Sequence, residues 1–297
     1  MASFRVLKAP VDDIAFSPVV FENSESGLRM AGTVFVPRAM KQGEKRPAIL
    51  VQGPMGATKE QCQSLYAQWL AAKGGYVTMV YDYTYLGASE GLPRGYENPQ
   101  TKASDIRAAL SALSVRPEVD SSTLYAVGIC GSGVYLPIAV SEGLPVNAFA
   151  SVNPFTVIDT IPYDAMQVAR DKEVWESGGA PVRIPDLIEP GSEGAEYYRD
   201  AMRGAVPNRV TFISWSQACW AECHPLEIAC KIATPALFVL GEKAFTRPGA
   251  EEMFARLRTK EKHLVIISGA RHFDMYDGED YAMPAIDAIL DFFQDRV

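Results

Sequence analysis

"YAVGICGSGVY", residues 125–135, joins an apolar run to a glycine cluster with a thiol at its centre. Leu124 to Val127 reads as the end of a buried strand, and Gly128-Ile129-Cys130-Gly131-Ser132 follows as a small-x-nucleophile-x-small frame. That frame makes a sharp turn from strand to helix and lifts the central side chain above the sheet. Centring the frame on Ser132 would put bulky Val134 in a small position, so Cys130 is the expected nucleophile. The next helix would begin beside the sulfur and favour its thiolate. The competing reading makes Cys130 a small buried hydrophobe at a strand end.

Outward from this turn, strand and helix alternate. "SPVVFEN" and "RMAGTVFVP" read as two antiparallel strands joined by "SESG". Continuous apolar runs at 47–53, 76–82, 123–130, 147–154, 235–242 and 263–270 read as buried parallel strands. Helical patterns lie at 59–73, 105–113, 134–141, 251–257 and 284–294. The order predicts an α/β protein with a mostly parallel central sheet flanked by helices. Residues 155–230 lack a clear strand and read as a mainly helical cap, so the core spans 1–154 and 231–297.

The 297 residues are 48% hydrophobic, enough to bury a large core, and carry a net charge of -8. No long basic block offsets that charge, which argues against nucleic acid as a partner. No stretch reaches the roughly 20 apolar residues of a membrane span, and Met1 to Pro10 shows no leader pattern. Five cysteines, an odd number, suggest reduced thiols and a cytoplasmic location. Cys219, Cys223, His224 and Cys230 follow C-x3-C-H-x5-C, which matches no zinc spacing and reads as packing cysteines.

Three further features support nucleophilic chemistry at Cys130. "GPMGATKEQ" (53–61) follows a buried strand, as an oxyanion-binding loop would. Pro54 has no N–H, so Met55 and Gly131 are the expected donors. His272, in "SGARHFDMYD", lies just beyond the last strand, where a general base can reach the sulfur. The acid partner is the weak point: Glu242 is the nearest carboxylate after "LFVLG", with Asp274 as the alternative.

On these motifs the chain resembles the dienelactone-hydrolase branch of the α/β-hydrolase superfamily, from about residue 28 to the end. The loop 52–61, the elbow 128–135, the end 269–277 and "YDYTYLGASEGLPR" (81–94) carry the likeness. Fungal polyketide transferases look similar. The resemblance implies an α/β-hydrolase fold and a Cys–His pair with an acid partner. Ser132 in place of glycine, and Met55-Gly56 in place of a three-glycine loop, depart from the pattern.

The expected reaction is acyl transfer through a Cys130 thioester. His272 takes the thiol proton, Met55 and Gly131 hold the oxyanion, and the acyl group passes to water. Transfer to a second nucleophile in polyketide assembly is the alternative, and a non-catalytic binder on the same fold is the second. Tyr83, Tyr163, Trp175, Trp215 and Trp220 are the expected acyl-pocket residues. No metal or organic cofactor is called for. The expected partner is a small ester, lactone or acyl thioester, free or carrier-bound, and a homodimer is left open.

Overall fold

The computed structural model describes residues 4–296. Residues 1–3 and 297 of the expected core, including the start of the N-terminal stretch read as lacking a leader, lie outside the described residues. Eight strands form one sheet: β1 (Ile14–Asn23), β2 (Leu28–Pro37), β3 (Arg46–Gln52), β4 (Val77–Tyr81), β5 (Val119–Ile129), β6 (Ala148–Val152), β7 (Ala236–Gly241) and β8 (Lys262–Ile267). Their order is β1-β2-β4-β3-β5-β6-β7-β8. β1 and β2 pair antiparallel, as do β2 and β4, and every other pair is parallel.

The helices are α1 (Cys62–Gly74), α2 (Pro99–Ser114), α3 (Ser132–Ser141), α4 (Ala165–Glu176), α5 (Glu193–Tyr198), α6 (Ser216–Ala221), α7 (Pro225–Ala229), α8 (Arg247–Arg256), α9 (Asp274–Asp277) and α10 (Glu279–Gln294). Helix α2 starts six residues before the apolar pattern at 105–113 suggested. Asn98 accepts from the N–H groups of Gln100 and Thr101, and Pro99 takes the first position, where its missing N–H costs nothing.

Because strand side chains alternate between faces, the buried runs feed two cores. Leu50, Met79, Ala126 and Phe149 pack with Ile106, Leu136 and Met253 of α2, α3 and α8. Val51, Val80, Val127 and Val152 pack on the other face with Tyr66, Leu70, Ile289 and Phe293 of α1 and α10. The segment between β6 and β7, expected as a mainly helical cap, holds short helices α4 to α7 joined by long stretches of turn and coil. Its last helix, α7, packs against α3 and α8, and so belongs to the core's helical layer. Among the described residues no helix is long and apolar enough to cross a membrane.

Candidate active site

The turn after β5 is strained in the way the sequence frame requires. Cys130 has φ +56°, a left-handed conformation that costs a non-glycine residue about 1–3 kcal/mol and persists only where its surroundings enforce it. They do: its N–H donates to the Val152 carbonyl at 2.9 Å, and its own carbonyl accepts from Gly133 at 2.9 Å and Phe155 at 3.0 Å. Gly128 has no alternative, since a Cβ there would stand 2.2 Å from the Ser132 carbonyl oxygen. Ser132 is fully buried and hydrogen-bonds the Gly53 carbonyl and, at 2.8 Å, the Tyr83 hydroxyl. It braces the turn from below. The Cys130 side chain is partly open to a cavity.

Burial pushes the Cys130 thiol up. The Tyr276 hydroxyl and the N–H groups of Gly131 and Met55, which face the sulfur, act in the opposite direction. Met55 and Gly131, the expected oxyanion donors, therefore lie together beside the Cys130 sulfur. They are also tightly packed: a Cβ on Gly131 would lie 2.7 Å from the Met55 nitrogen. Gly131→Ala should displace Met55 and lower kcat about 100- to 1,000-fold, the usual loss for one oxyanion donor. Steady-state kinetics with unchanged thermal stability would check it, and a wild-type kcat would refute it.

His272 is fully buried and lines the same cavity as Cys130. Its backbone carbonyl accepts from Asn153 Nδ2 at 3.2 Å, while Asn153 Oδ1 accepts from the Gly241 N–H at 2.8 Å. Asn153 thus ties the histidine loop to the end of β7. On the ring, Nδ1 meets Thr246 Oγ1 at 3.0 Å and Nε2 meets the Tyr276 hydroxyl at 3.1 Å. Both ring partners are neutral hydroxyls. Burial accordingly depresses His272 from 6.5 to about 3.

This imidazole refuses a proton that the unfolded chain accepts below pH 6.5. The unfolded state then binds more protons, so stability attributable to His272 falls as pH drops from about 6.5 toward 3. Urea titrations across that range should lose stability more steeply in wild type than in His272→Gln. Equal slopes would contradict neutral burial.

Several expected residues stand elsewhere. Glu242 turns its carboxylate to the Gly269 N–H at 2.6 Å and Ser268 Oγ at 3.1 Å, so Thr246 holds the imidazole instead. The end of β7 lies beside the end of β8, Gly241 opposite Ile267, which delivers Glu242 to the strand-exit turn rather than to the ring. Asp274 is committed to Arg271, at 2.8 Å from Nη2 and 3.0 Å from Nε.

None of Tyr83, Tyr163, Trp175, Trp215 and Trp220 lines the cavity. Tyr83 lies beneath the elbow on Ser132, Tyr163 is exposed, and Trp175 and Trp215 pack together with Ile213. Trp220 is wholly buried and donates to the Glu97 carbonyl at 3.0 Å, fastening the insertion to the core. The three tryptophans hold the insertion in place. Cys219 Sγ meets the Tyr96 hydroxyl at 3.3 Å, Cys223 is in the core and Cys230 is exposed.

The cavity has a volume of about 370 Å³. Phe155, Phe212, Phe245, Phe273, Leu187 and Ile188 give it an apolar wall, with Glu189, Glu193 and Arg209 as its charged residues. Glu193 Oε1 accepts the Phe273 N–H at 2.5 Å, and burial pushes its carboxyl up. Arg209 is paired with Asp186 at 2.8 Å. Thr246 and Asn153 carry no signal in the sequence beyond their nearness to the ends of the strands, and Tyr276 lies in the 269–277 motif without a role read for it.

The fold and this elbow define a class, the α/β hydrolases. No protein-family model matches the chain. It is 30% identical to uncharacterized protein PA2218 of Pseudomonas aeruginosa, over 94% of this chain and 80% of that one. The crystal structure of PA2218 superposes with a TM-score of 0.84, covering 96% of this chain and 94% of the other at 28% identity. A thiohydrolase from Eupenicillium brefeldianum is 27% identical over 87% of this chain and 88% of its own. Polyketide transferase GrgF of a Penicillium species is 22% identical over 91% of this chain and 92% of its own. The crystal structure of GrgF, an alpha/beta hydrolase, has a TM-score of 0.78, covering 95% and 98% of the two chains at 22% identity, and shares the fold. The chain belongs to the α/β-hydrolase superfamily.

Proposed function

We propose that this protein is a cysteine-dependent acyl-transfer enzyme of the dienelactone-hydrolase type. It takes an acyl group from a thioester, ester or lactone onto Cys130 and releases it to water. The observation that carries this reading is the strained Cys130, open to the cavity and faced by the N–H groups of Met55 and Gly131. His272, on the same cavity, is the base. An attacking sulfur at this bend would leave the former carbonyl oxygen between those two N–H groups, which stabilise the developing charge. The aromatic wall suits an apolar acyl chain better than a polar group. Similarity to a thiohydrolase favours thioesters among the candidates. Five unpaired thiols agree with a reducing compartment such as the cytoplasm.

Transfer to a second nucleophile is the alternative favoured by similarity to a polyketide transferase. It needs the acyl-enzyme to be shielded from water.

Intact-mass analysis after brief exposure to an acyl-thioester probe tests the reading. A single acyl adduct should form on wild type and be absent in Cys130→Ala. An adduct that survives Cys130→Ala, or none on wild type, would refute it. Free acid as the only product would separate hydrolysis from transfer.

A further inference from the structure

In the resting site an ordinary Cys–His pair is interrupted. His272 Nδ1 is held by Thr246 at 3.0 Å, which leaves Nε2 for the nucleophile, yet Nε2 is occupied by the Tyr276 hydroxyl at 3.1 Å. The same hydroxyl lies on the Cys130 side of the cavity that all three residues line. Tyr276 is fully buried and lines the cavity along with both partners. Its ring is fixed on edge by Tyr197 and Phe273, each with its centroid 5.0 Å away. Tyr198 and Cys62, both buried, are the other ionisable groups beside it.

We propose that the Tyr276 hydroxyl is a catalytic proton relay between Cys130 and His272. This rests on the acyl-transfer reading above and deepens it. With Nδ1–H donated to Thr246, the Nε2 lone pair accepts the phenol O–H, and in the reacting geometry the phenol oxygen takes the thiol S–H. As sulfur attacks, the S–H electron pair becomes the new S–C bond and the carbonyl π pair moves to the oxyanion. The thiol proton passes to the phenol oxygen while the phenol proton passes to Nε2. Tyrosine ends neutral, its hydrogen bonds reversed, and the positive charge rests on the imidazole. Collapse of the oxyanion expels the leaving group, which takes a proton from the phenol as Nε2–H restores it.

Burial pushes the phenol well above its ordinary 10, so it stays protonated and hands protons on without storing a charge. A phenol that shuttled charge as tyrosinate would need the opposite environment.

The test is Tyr276→Phe, which keeps the ring and removes the hydroxyl. The rate of Cys130 acylation by an acyl-thioester probe, followed by intact mass, should fall at least 100-fold, the low end for acid–base groups. Circular dichroism and melting temperature report whether the variant is folded. A proton inventory on wild type, acylation measured in mixtures of light and heavy water, needs no variant. Two protons in flight predict a curved plot.

A folded Tyr276→Phe that acylates at the wild-type rate, or a linear inventory in wild type, would overturn the relay and leave the acyl-transfer reading intact. A wild type that forms no Cys130 adduct would sink both.

Discussion

Cys130→Ser is expected to lose nearly as much turnover as Cys130→Ala, more than about 1,000-fold in kcat/KM. Serine would occupy the same bend and face the same two N–H groups, so geometry alone would not stop it. The obstacle is the base. A serine hydroxyl is a far weaker acid than a thiol, and a histidine that deprotonates it develops a full positive charge. In serine enzymes a carboxylate at the other ring nitrogen stabilises that charge. Here Nδ1 has only the Thr246 hydroxyl, and burial holds the imidazole down to about 3. A thiol, which gives up its proton more readily, is matched to so weak a base.

The same argument predicts a rescue. Thr246→Asp would put a carboxylate where Oγ1 now meets Nδ1, directly before α8, whose N-terminus favours negative charge. In the Cys130→Ser background this change should restore at least about tenfold in kcat/KM. It should do nothing for Cys130→Ala, which has no nucleophile to activate. Ester hydrolysis by the four proteins, measured side by side, decides the matter. A Cys130→Ser single variant near wild-type activity would mean that some group other than His272 draws off the proton.

The contrast between Cys130 and Thr246 marks where the sequence stops being readable. Buried runs such as 47–53 and 235–242 appear as apolar strings because a strand covered on both faces has no polar side to display. The elbow is legible because Gly128 is forced by a backbone contact only four residues along the chain. Imidazole partners are not set that way. Thr246 is 26 residues from His272, and its role depends on how the exit of β7 packs beside the loop after β8. Glu242 is closer to the strand end and chemically better suited, yet its carboxylate caps Gly269. The tryptophans misled for a related reason. An aromatic residue in an insertion can face the ligand or the core, and the chain carries no periodicity there to say which.

Lys102→Met should be the most destabilising single change in the buried polar layer, costing about 3–5 kcal/mol. Lys102 is wholly buried on α2, donates to the Thr84 carbonyl at 2.8 Å and lies 3.5 Å from Glu97, also wholly buried. Burial pushes the carboxyls of Glu97 and Asp105 up, and the Lys102 charge opposes that rise in both. Methionine fills similar volume, so the loss would come from the uncompensated carboxylates and not from a cavity.

The melting temperature should fall by roughly 10 °C. The deficit relative to wild type should be largest at neutral pH and shrink as pH falls toward 5. A carboxyl whose folded pKa is raised takes up its proton in the folded state first, so lowering the pH favours folding. Adding Glu97→Gln to Lys102→Met should recover part of the loss. Additive losses in the double variant would show that the two side chains do not compensate each other.

The consequence reaches the reacting atoms. Glu97 also accepts from the Tyr135 hydroxyl at 2.9 Å, and Gly56, the residue after Met55, lies beside its carboxylate. Its backbone carbonyl holds Trp220. The Glu97 carboxylate, opposite Lys102, thus lies beside the loop that carries Met55, while the Glu97 backbone roots the insertion. Lys102→Met should lower kcat in the protein that remains folded at 25 °C, more than it alters KM. A stable variant with wild-type kcat would show that the loop holds its shape without the charge pair.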